Sequence, residues 1–486
     1  MNRIKPSHIF WLMLLVGIVI RLMIIFQPEG ELLTRWGSDD LYYYSQIAGH
    51  VTAGDGFTFD GINPTNGFQP LFLFTLIPFG KWLLNDWYAS WVIVSLIVTL
   101  LSVLTCFQLR KWAREMGWSD WLAVILPSVF ILHPKILSVT FNGTEGALSF
   151  LMLVLVLRAF LWIRDQRNFW WTAIVFSLFV ITRMEFSVLL FGLFVLAMLQ
   201  KQSFKQWLLV SIGPVIVFVS WLLINYAYFG SIIPSSGQAK AIHAGWYDFP
   251  FWEGFKGAIG TVFYAESGLS WMVLVATLLG VYTIYNRKDR NLWRLLLFLG
   301  TVGTILISIS IITLHGFRDW YLVPYFLFMV IVISHGMDWF SNKRNIIIPS
   351  LSLLLIAIWS EAQLNPRKFE GQEVINVCEE VREFAPKGTF IGVFNAGLPG
   401  ACLGDRFNVI NLDGVVNNRV LPYLENATMD QYAEDQTLIL LMDNKASLEF
   451  FQNRGMKTKP FTDFREASQS WRLDIVLTKF SMIMSN

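Results

Sequence analysis

Runs of apolar residues long enough to cross a lipid bilayer recur along the first 360 positions of this chain, and that recurrence limits its folds more than any other feature. A spanning helix needs about 20 mostly apolar residues. Within the bilayer the backbone must satisfy its own hydrogen bonds, so helices or closed barrels are the only spanning forms. The segments that qualify or nearly qualify are residues 9–26, 87–109, 121–133, 144–163, 170–182, 186–199, 207–229, 269–285, 295–314, 321–339 and 346–359, about eleven spans in all. Residues 70–84 are also apolar, but they are few and hold Pro78 and Lys81, which suits an interfacial or re-entrant helix. Charged residues make up 15% of the chain, against about 25% in soluble domains. The expected fold class is an α-helical polytopic membrane protein with a small C-terminal α/β domain outside the cytoplasm.

Arg3 and Lys5 precede an apolar run from Ile9 to Phe26. That run is longer than a signal-peptide core and no small-residue cleavage site follows, so it reads as an uncleaved span. With eleven spans, one set of connections carries clustered cations: Arg3 and Lys5, then Arg110, Lys111 and Arg114, then Arg164 and Arg167, Lys201 and Lys205, Arg287 to Arg294, and Lys343 with Arg344. The opposite short loops carry only Arg35, Lys135, Arg183, Lys240, Lys256 and Arg318. Lysine and arginine bias sets orientation, so the N-terminus is expected in the cytoplasm and the C-terminal region outside the cytoplasmic (inner) membrane.

Residues 1–360 form the expected membrane domain, with a first outer loop at 28–86, and residues 361–486 the expected periplasmic or extracellular domain. In that domain residues 372–384 and 448–454 read as helices, and 389–394, 407–412, 436–442 and 471–478 as strands. The net charge of +2 is spread through short connections, which argues against nucleic acid as a partner. Cys106, Cys378 and Cys402 show no CxxC or His/Cys cluster. Cys378 and Cys402 can pair if both face an oxidising compartment.

Polar residues collect on the expected outer side: Asp39, Asp40, Glu145, Arg183, Glu185, Lys240, His315, Arg318 and Asp319. Charge near membrane depth is costly and tends to be paired or functional. Ser38 precedes the acidic pair and an aromatic helix, so it is a candidate N-cap, with the helix dipole favouring ionised acids in the first turn. His133, followed by Pro134, reads as a helix-terminus residue rather than a metal ligand, with no second ligand at helical spacing. Asp413 and residues 395–400 lack GxGxxG spacing, which disfavours a nucleotide-sugar donor.

Five motifs in order carry a resemblance. They are Asp39-Asp40 followed by tyrosines, Asn63-Pro64-Thr65-Asn66-Gly67-Phe68, Asn142-Gly143-Thr144-Glu145, Thr182-Arg183-Met184-Glu185, and Gly230 through Pro234 to Lys240. With Val409 to Asn417 in the outer domain, the chain resembles the GT-C glycosyltransferase superfamily, which includes protein O-mannosyltransferases, lipid A aminoarabinose transferases and arabinofuranosyltransferases. The resemblance implies inverting transfer of a monosaccharide from a polyprenyl-phosphate donor to a glycan, lipid or protein hydroxyl outside the membrane. Such chemistry asks for a carboxylate to take the acceptor proton and cations to stabilise the departing phosphate. The resemblance implies Asp39 or Asp40 as the base, with the first acid at the position usually held catalytic. Glu145 is implied to orient the acceptor or the acids, or is a first-turn acid favoured by the helix dipole. Arg183, Lys240 and Arg318 are candidates for the phosphate or sugar, and Glu185 and Tyr321 complete the candidate substrate-binding set. Arg183 beside Glu185 is equally an ion pair between two spans, and Tyr321 an interfacial aromatic. The resemblance leaves divalent-metal dependence open. The rival reading, a lipid-linked-sugar flippase or transporter, expects charges near the bilayer midplane, where Arg21 and Arg158 are the main candidates.

Overall fold

The computed structural model describes residues 5–29, 32–33, 36, 38–164, 168–243, 251–263, 270–287, 290–314, 319–341, 371–460 and 471–476. In chain order the helices of the bundle are α1 (Pro6–Ile25), α2 (Asp39–Ala53), α3 (Pro70–Leu76), α4 (Gly80–Leu83), α5 (Trp87–Glu115), α6 (Leu122–Leu132), α7 (Pro134–Phe141), α8 (Gly146–Arg164), α9 (Phe169–Thr182), α10 (Phe186–Leu199), α11 (Phe204–Phe229), α12 (Ser235–His243), α13 (Phe251–Phe263), α14 (Ser270–Arg287), α15 (Arg290–Leu314) and α16 (Val323–Ser341). Six stretches among the described residues are long and apolar enough to span a bilayer: Pro6–Ile25, Trp87–Glu115, Gly146–Ile163, Phe204–Phe229, Leu292–Ile312 and Trp320–Asp338. The chain is a multi-pass membrane protein.

Three of the expected spans differ in form. The segment 121–133 does not end at His133; α6 and α7 join across it at a 55° bend. Pro134 has no N–H to continue the helix and its ring excludes the preceding turn. Helices α9 and α10 have 14 residues each, or about 21 Å at helical rise, short of the roughly 30 Å hydrocarbon core. The expected span 346–359 lies outside the described residues, as does the domain boundary at 361.

The two mid-span arginines are both engaged. Arg158 Nε donates to Glu115 Oε2 at 2.8 Å, and its guanidinium also pairs with Gln108. Arg21 is fully buried and donates to the Ile131 carbonyl at 2.7 Å. Ile131 lies in the last turn of α6, where carbonyls lose their helical donors. Arg21 therefore closes the end of the broken helix.

Residues 70–83 form a short bent helix packed on α2, as the Thr52 hydroxyl donates to the Ile77 carbonyl at 3.1 Å. After the bundle comes an α/β unit: α17 (Gly371–Phe384), β1 (Phe390–Val393), α18 (Gly397–Leu403), β2 (Asn408–Asn411), α19 (Leu421–Glu425), α20 (Met429–Asp435), β3 (Leu440–Asn444), α21 (Lys445–Asn453), β4 (Thr458–Pro460) and β5 (Trp471–Val476). The sheet runs β2-β1-β3-β5-β4. β2, β1 and β3 are parallel, and β5 and β4 are antiparallel additions. Strand residues alternate between faces. Ile391, Val393, Val409 and Met442 join the core that continues into the bundle, whereas Ile410 and Leu441 pack with Tyr432 and Phe451 on the other face. Each fully buried leucine or phenylalanine there contributes about 1.5–3 kcal/mol.

Candidate functional site

Helix α2 carries two stripes at helical spacing, and the stripes face different partners. Asp40, Tyr44 and Ile47 line a cavity of about 520 Å³ in the bundle. Asp39 and Tyr43, one position earlier, bond the α/β unit, with Tyr43 also lining the cavity. Consecutive helical residues diverge by about 100°, so the acidic pair divides between the two faces.

Asp39 is bound by backbone. Its Oδ2 accepts from the Gly397 N–H at 3.0 Å and its Oδ1 from the Leu398 N–H at 2.9 Å, both at the start of α18. Burial pushes its carboxyl up to about 6, against the pull of those two N–H bonds. One turn later the Tyr43 hydroxyl accepts from the Ala396 N–H at 3.1 Å and from Asn411 Nδ2 at 3.2 Å. These partners lie at the carboxyl ends of β1 and β2. Asp413 and Asp443 sit beside them, raised by burial to about 8 and about 7. Val415 N–H donates to Asp413 at 2.7 Å and Phe394 N–H to Asp443 at 2.5 Å.

Ser38 stands at the N-cap position but its hydroxyl caps nothing. It donates to the Asn142 carbonyl at 2.5 Å, because the chain entering α2 lies against the turn that leaves α7. In that turn Asn142 Oδ1 accepts from the Thr144 N–H and hydroxyl at 3.1 and 2.7 Å. The turn delivers Glu145 to the start of α8, where it is buried. Glu145 accepts from the Tyr44 hydroxyl at 2.9 Å and pairs with Arg183. Arg183 also pairs with Glu185 at 3.2 Å, and Glu185 accepts from the Tyr321 hydroxyl at 3.1 Å. The guanidinium lies 4.6 Å from the centre of the Tyr321 ring. The arginine fork thus holds two acids at once.

Lys240 lines the same cavity from α12, its ammonium 5.9 Å from the Trp320 ring centre. Leu222, Ile232, Ile233 and Ile309 supply an apolar wall. Ile232 and Ile233 are about half exposed. Helix α12 is clamped at both ends. At its start the Ser235 N–H donates to Asn66 Oδ1 at 2.8 Å and the Ser235 hydroxyl to the Val415 carbonyl at 2.9 Å. Asn418 Nδ2 donates to the same Asn66 oxygen at 3.0 Å. At its end the buried His243 ring lies 5.1 Å from Phe394. The Asn63 to Phe68 motif, the start of α12 and the segment 415–418 therefore meet at one junction. A Cβ on Gly67 would collide with the Val415 carbonyl oxygen there.

Of the residues singled out in the sequence, Asp40, Glu145, Arg183, Glu185, Lys240 and Tyr321 share one cavity. Asp39 is turned to the α/β unit, and Arg318 lies outside the described residues. Tyr43, Tyr44 and Gln69 were not singled out, although Tyr44 falls one helical turn after Asp40. Cys378 and Cys402 form a disulfide between α17 and α18. Among the described residues no three His, Cys, Asp or Glu side chains converge as a metal set; His133 sits buried at the α6–α7 bend.

No family model matches the chain, and no curated protein matches it. Solved structures do. ArnT from Cupriavidus metallidurans in the apo state aligns with a TM-score of 0.62 and 10% identity, over 96% of this chain and 97% of that one. The same protein bound to undecaprenyl phosphate aligns with a TM-score of 0.59 and 11% identity, over 95% and 97%. The oligosaccharyltransferase of Archaeoglobus fulgidus, in complex with Zn and sulfate, aligns with a TM-score of 0.52 and 14% identity, over 89% and 68%.

Proposed function

Because the chain has the fold of the GT-C glycosyltransferases, we propose that it transfers a monosaccharide from a polyprenyl-phosphate donor to an acceptor hydroxyl at the outer face of the cytoplasmic membrane. One observation carries the reading: a single cavity places a carboxylate, Asp40, and an ammonium, Lys240, beside an apolar wall that reaches exposed isoleucines. A polyprenyl phosphate needs that combination, with lipid along the wall, phosphate at the cation and sugar between cation and base. The ArnT structure bound to undecaprenyl phosphate supports a ligand of this class for the fold.

Asp40 is the general base in this reading. Its carboxylate takes the acceptor hydroxyl proton as the oxygen attacks the anomeric carbon. The bond from that carbon to the phosphate oxygen breaks on the opposite face, the electron pair leaves with the phosphate, and the configuration inverts. Lys240 meets the phosphate as its negative charge grows. Arg183 is committed to Glu145 and Glu185, so it acts on the phosphate from a fixed position, with Tyr321 and Glu145 shaping the sugar pocket. The acceptor, a glycan, lipid or protein, approaches from the junction of Gly67 and Val415.

The test is sugar transfer by the full-length protein in nanodiscs, offered a panel of polyprenyl-phosphate sugars. Asp40→Asn is expected to lower transfer by at least about 100-fold and leave donor binding intact. Full activity in Asp40→Asn rules out the base assignment. Labelling of single cysteines placed in the α/β unit on intact cells checks the outer location.

A further inference from the structure

Granted the reading of Asp40 as base, we propose that Asp39 is its positioning residue and that the α/β unit, by gripping Asp39, sets the aim of Asp40 into the cavity. The two acids are adjacent in the first turn of α2, so the rotation of that turn fixes both at once. That first turn follows directly on Ser38, whose backbone is extended. It is held from one side by the Ser38 hydroxyl on the Asn142 carbonyl and from the other by the two N–H bonds from Gly397 and Leu398 to Asp39.

The grip is built for close approach. A Cβ on Gly397 would collide with the Asp39 carbonyl oxygen and crowd its carboxylate at 2.8 Å. Tyr43 repeats the attachment one turn on, through Ala396 and Asn411. The gripping helix α18 is itself anchored. Cys402 is bonded to Cys378 of α17, and Arg382 of α17 donates to the Cys402 carbonyl and pairs with Asp405. A continuous set of bonds therefore runs from α17 through α18 and Asp39 to the residue facing the cavity. Both Asp39 oxygens already accept backbone donors, which suits a fixed anchor rather than a proton carrier.

The experiment uses full-length protein in nanodiscs and compares wild type with Asp39→Asn, Gly397→Ala, their double variant and Asp40→Asn. Hydrogen exchange is followed in peptides covering residues 39–44 and 396–402, alongside kcat and KM for the donor. Asp39→Asn and Gly397→Ala are each expected to speed exchange in both peptides. Each should lower kcat about 10- to 100-fold, the scale of a roughly 1 Å misplacement, with donor KM unchanged. The double variant should be no slower than the worse single, because both break one linkage. Asp40→Asn should lose transfer without changing exchange.

An Asp39→Asn variant that abolishes transfer with unchanged exchange, beside an active Gly397→Ala, overturns the proposal and makes Asp39 the base. Normal transfer by Asp40→Asn removes the base reading. Exchange unchanged at 39–44 in Gly397→Ala overturns the positioning linkage whether or not any donor is turned over.

Discussion

The Tyr44 hydroxyl donates to Glu145 at 2.9 Å and ties the acid-bearing helix to a turn a hundred positions away in the chain. The same oxygen accepts from the Gln69 N–H at 3.0 Å. Tyr44→Phe removes both bonds within a buried site, and each buried group left unpaired costs about 1–3 kcal/mol. Thermal unfolding in detergent should show a lower midpoint, and transfer should slow because Glu145 and the loop at Gln69 lose their common partner. An unchanged midpoint would count against the network.

Arg183 and Lys240 line one cavity but should fail differently. Arg183→Met leaves the buried Glu145 and the partly exposed Glu185 without their cation, and a buried charge left unpaired costs about 3–5 kcal/mol; the protein should be poorly folded. Lys240→Ala should fold normally yet lose the thermal stabilisation that added polyprenyl phosphate gives the wild type. Equal ligand stabilisation in Lys240→Ala and wild type would remove Lys240 from the phosphate site.

Gly67→Ala tests the junction. Its Cβ meets the Val415 carbonyl, so the loop and the α/β unit must separate, at about 1–3 kcal/mol. Limited proteolysis should cut the α/β unit faster in the variant, and wild-type resistance would show that the junction yields without cost.

Stability should fall as pH rises through neutrality. Asp443 and Asp413 are raised by burial to about 7 and about 8, from an ordinary value of 3.8. Asp39 from α2 faces both and Tyr43 bonds Asp413, while the charge of Asp40, on the cavity side, raises Asp413 further. Between those values the folded chain keeps protons that the unfolded chain has lost, so their contribution is full near pH 4 and declines as pH rises through about 7 and 8. Unfolding midpoints measured from about pH 6 to 8.5 should decline, and Asp413→Asn should flatten the decline. A flat wild-type profile would mean these carboxyls are not protonated in the fold.

Much of this arrangement is legible in the sequence, and the rest is hidden for identifiable reasons. Apolar runs locate most of the spanning helices, and alternation locates β1, β2 and β5 closely. Polar residues stranded among apolar runs identify five of the cavity residues, Asp40, Glu145, Arg183, Glu185 and Lys240, because charge at such depth needs a purpose; Tyr321 enters only through the resemblance. The direction in which each acid faces is not legible. Helical spacing says that Asp39 and Asp40 diverge, but only the docked α/β unit says which one turns to the cavity. The segment 395–400 reads as a loop because Gly397, Pro399 and Gly400 are turn residues; in the fold they permit close approach and begin α18. The Ser38 hydroxyl is drawn from its expected cap by a carbonyl over a hundred residues away, a tertiary contact no local pattern encodes.

In an open α/β sheet, ligands settle at the carboxyl ends of the strands, where the order reverses. Here that crevice, between β1 and its neighbours, is already filled by Tyr43 and Asp39 from the bundle. The C-terminal unit is thus not an interchangeable module. A chimera that grafts it onto another bundle without α2 would inherit a gap lined with buried carboxyls, so the two halves must be exchanged together.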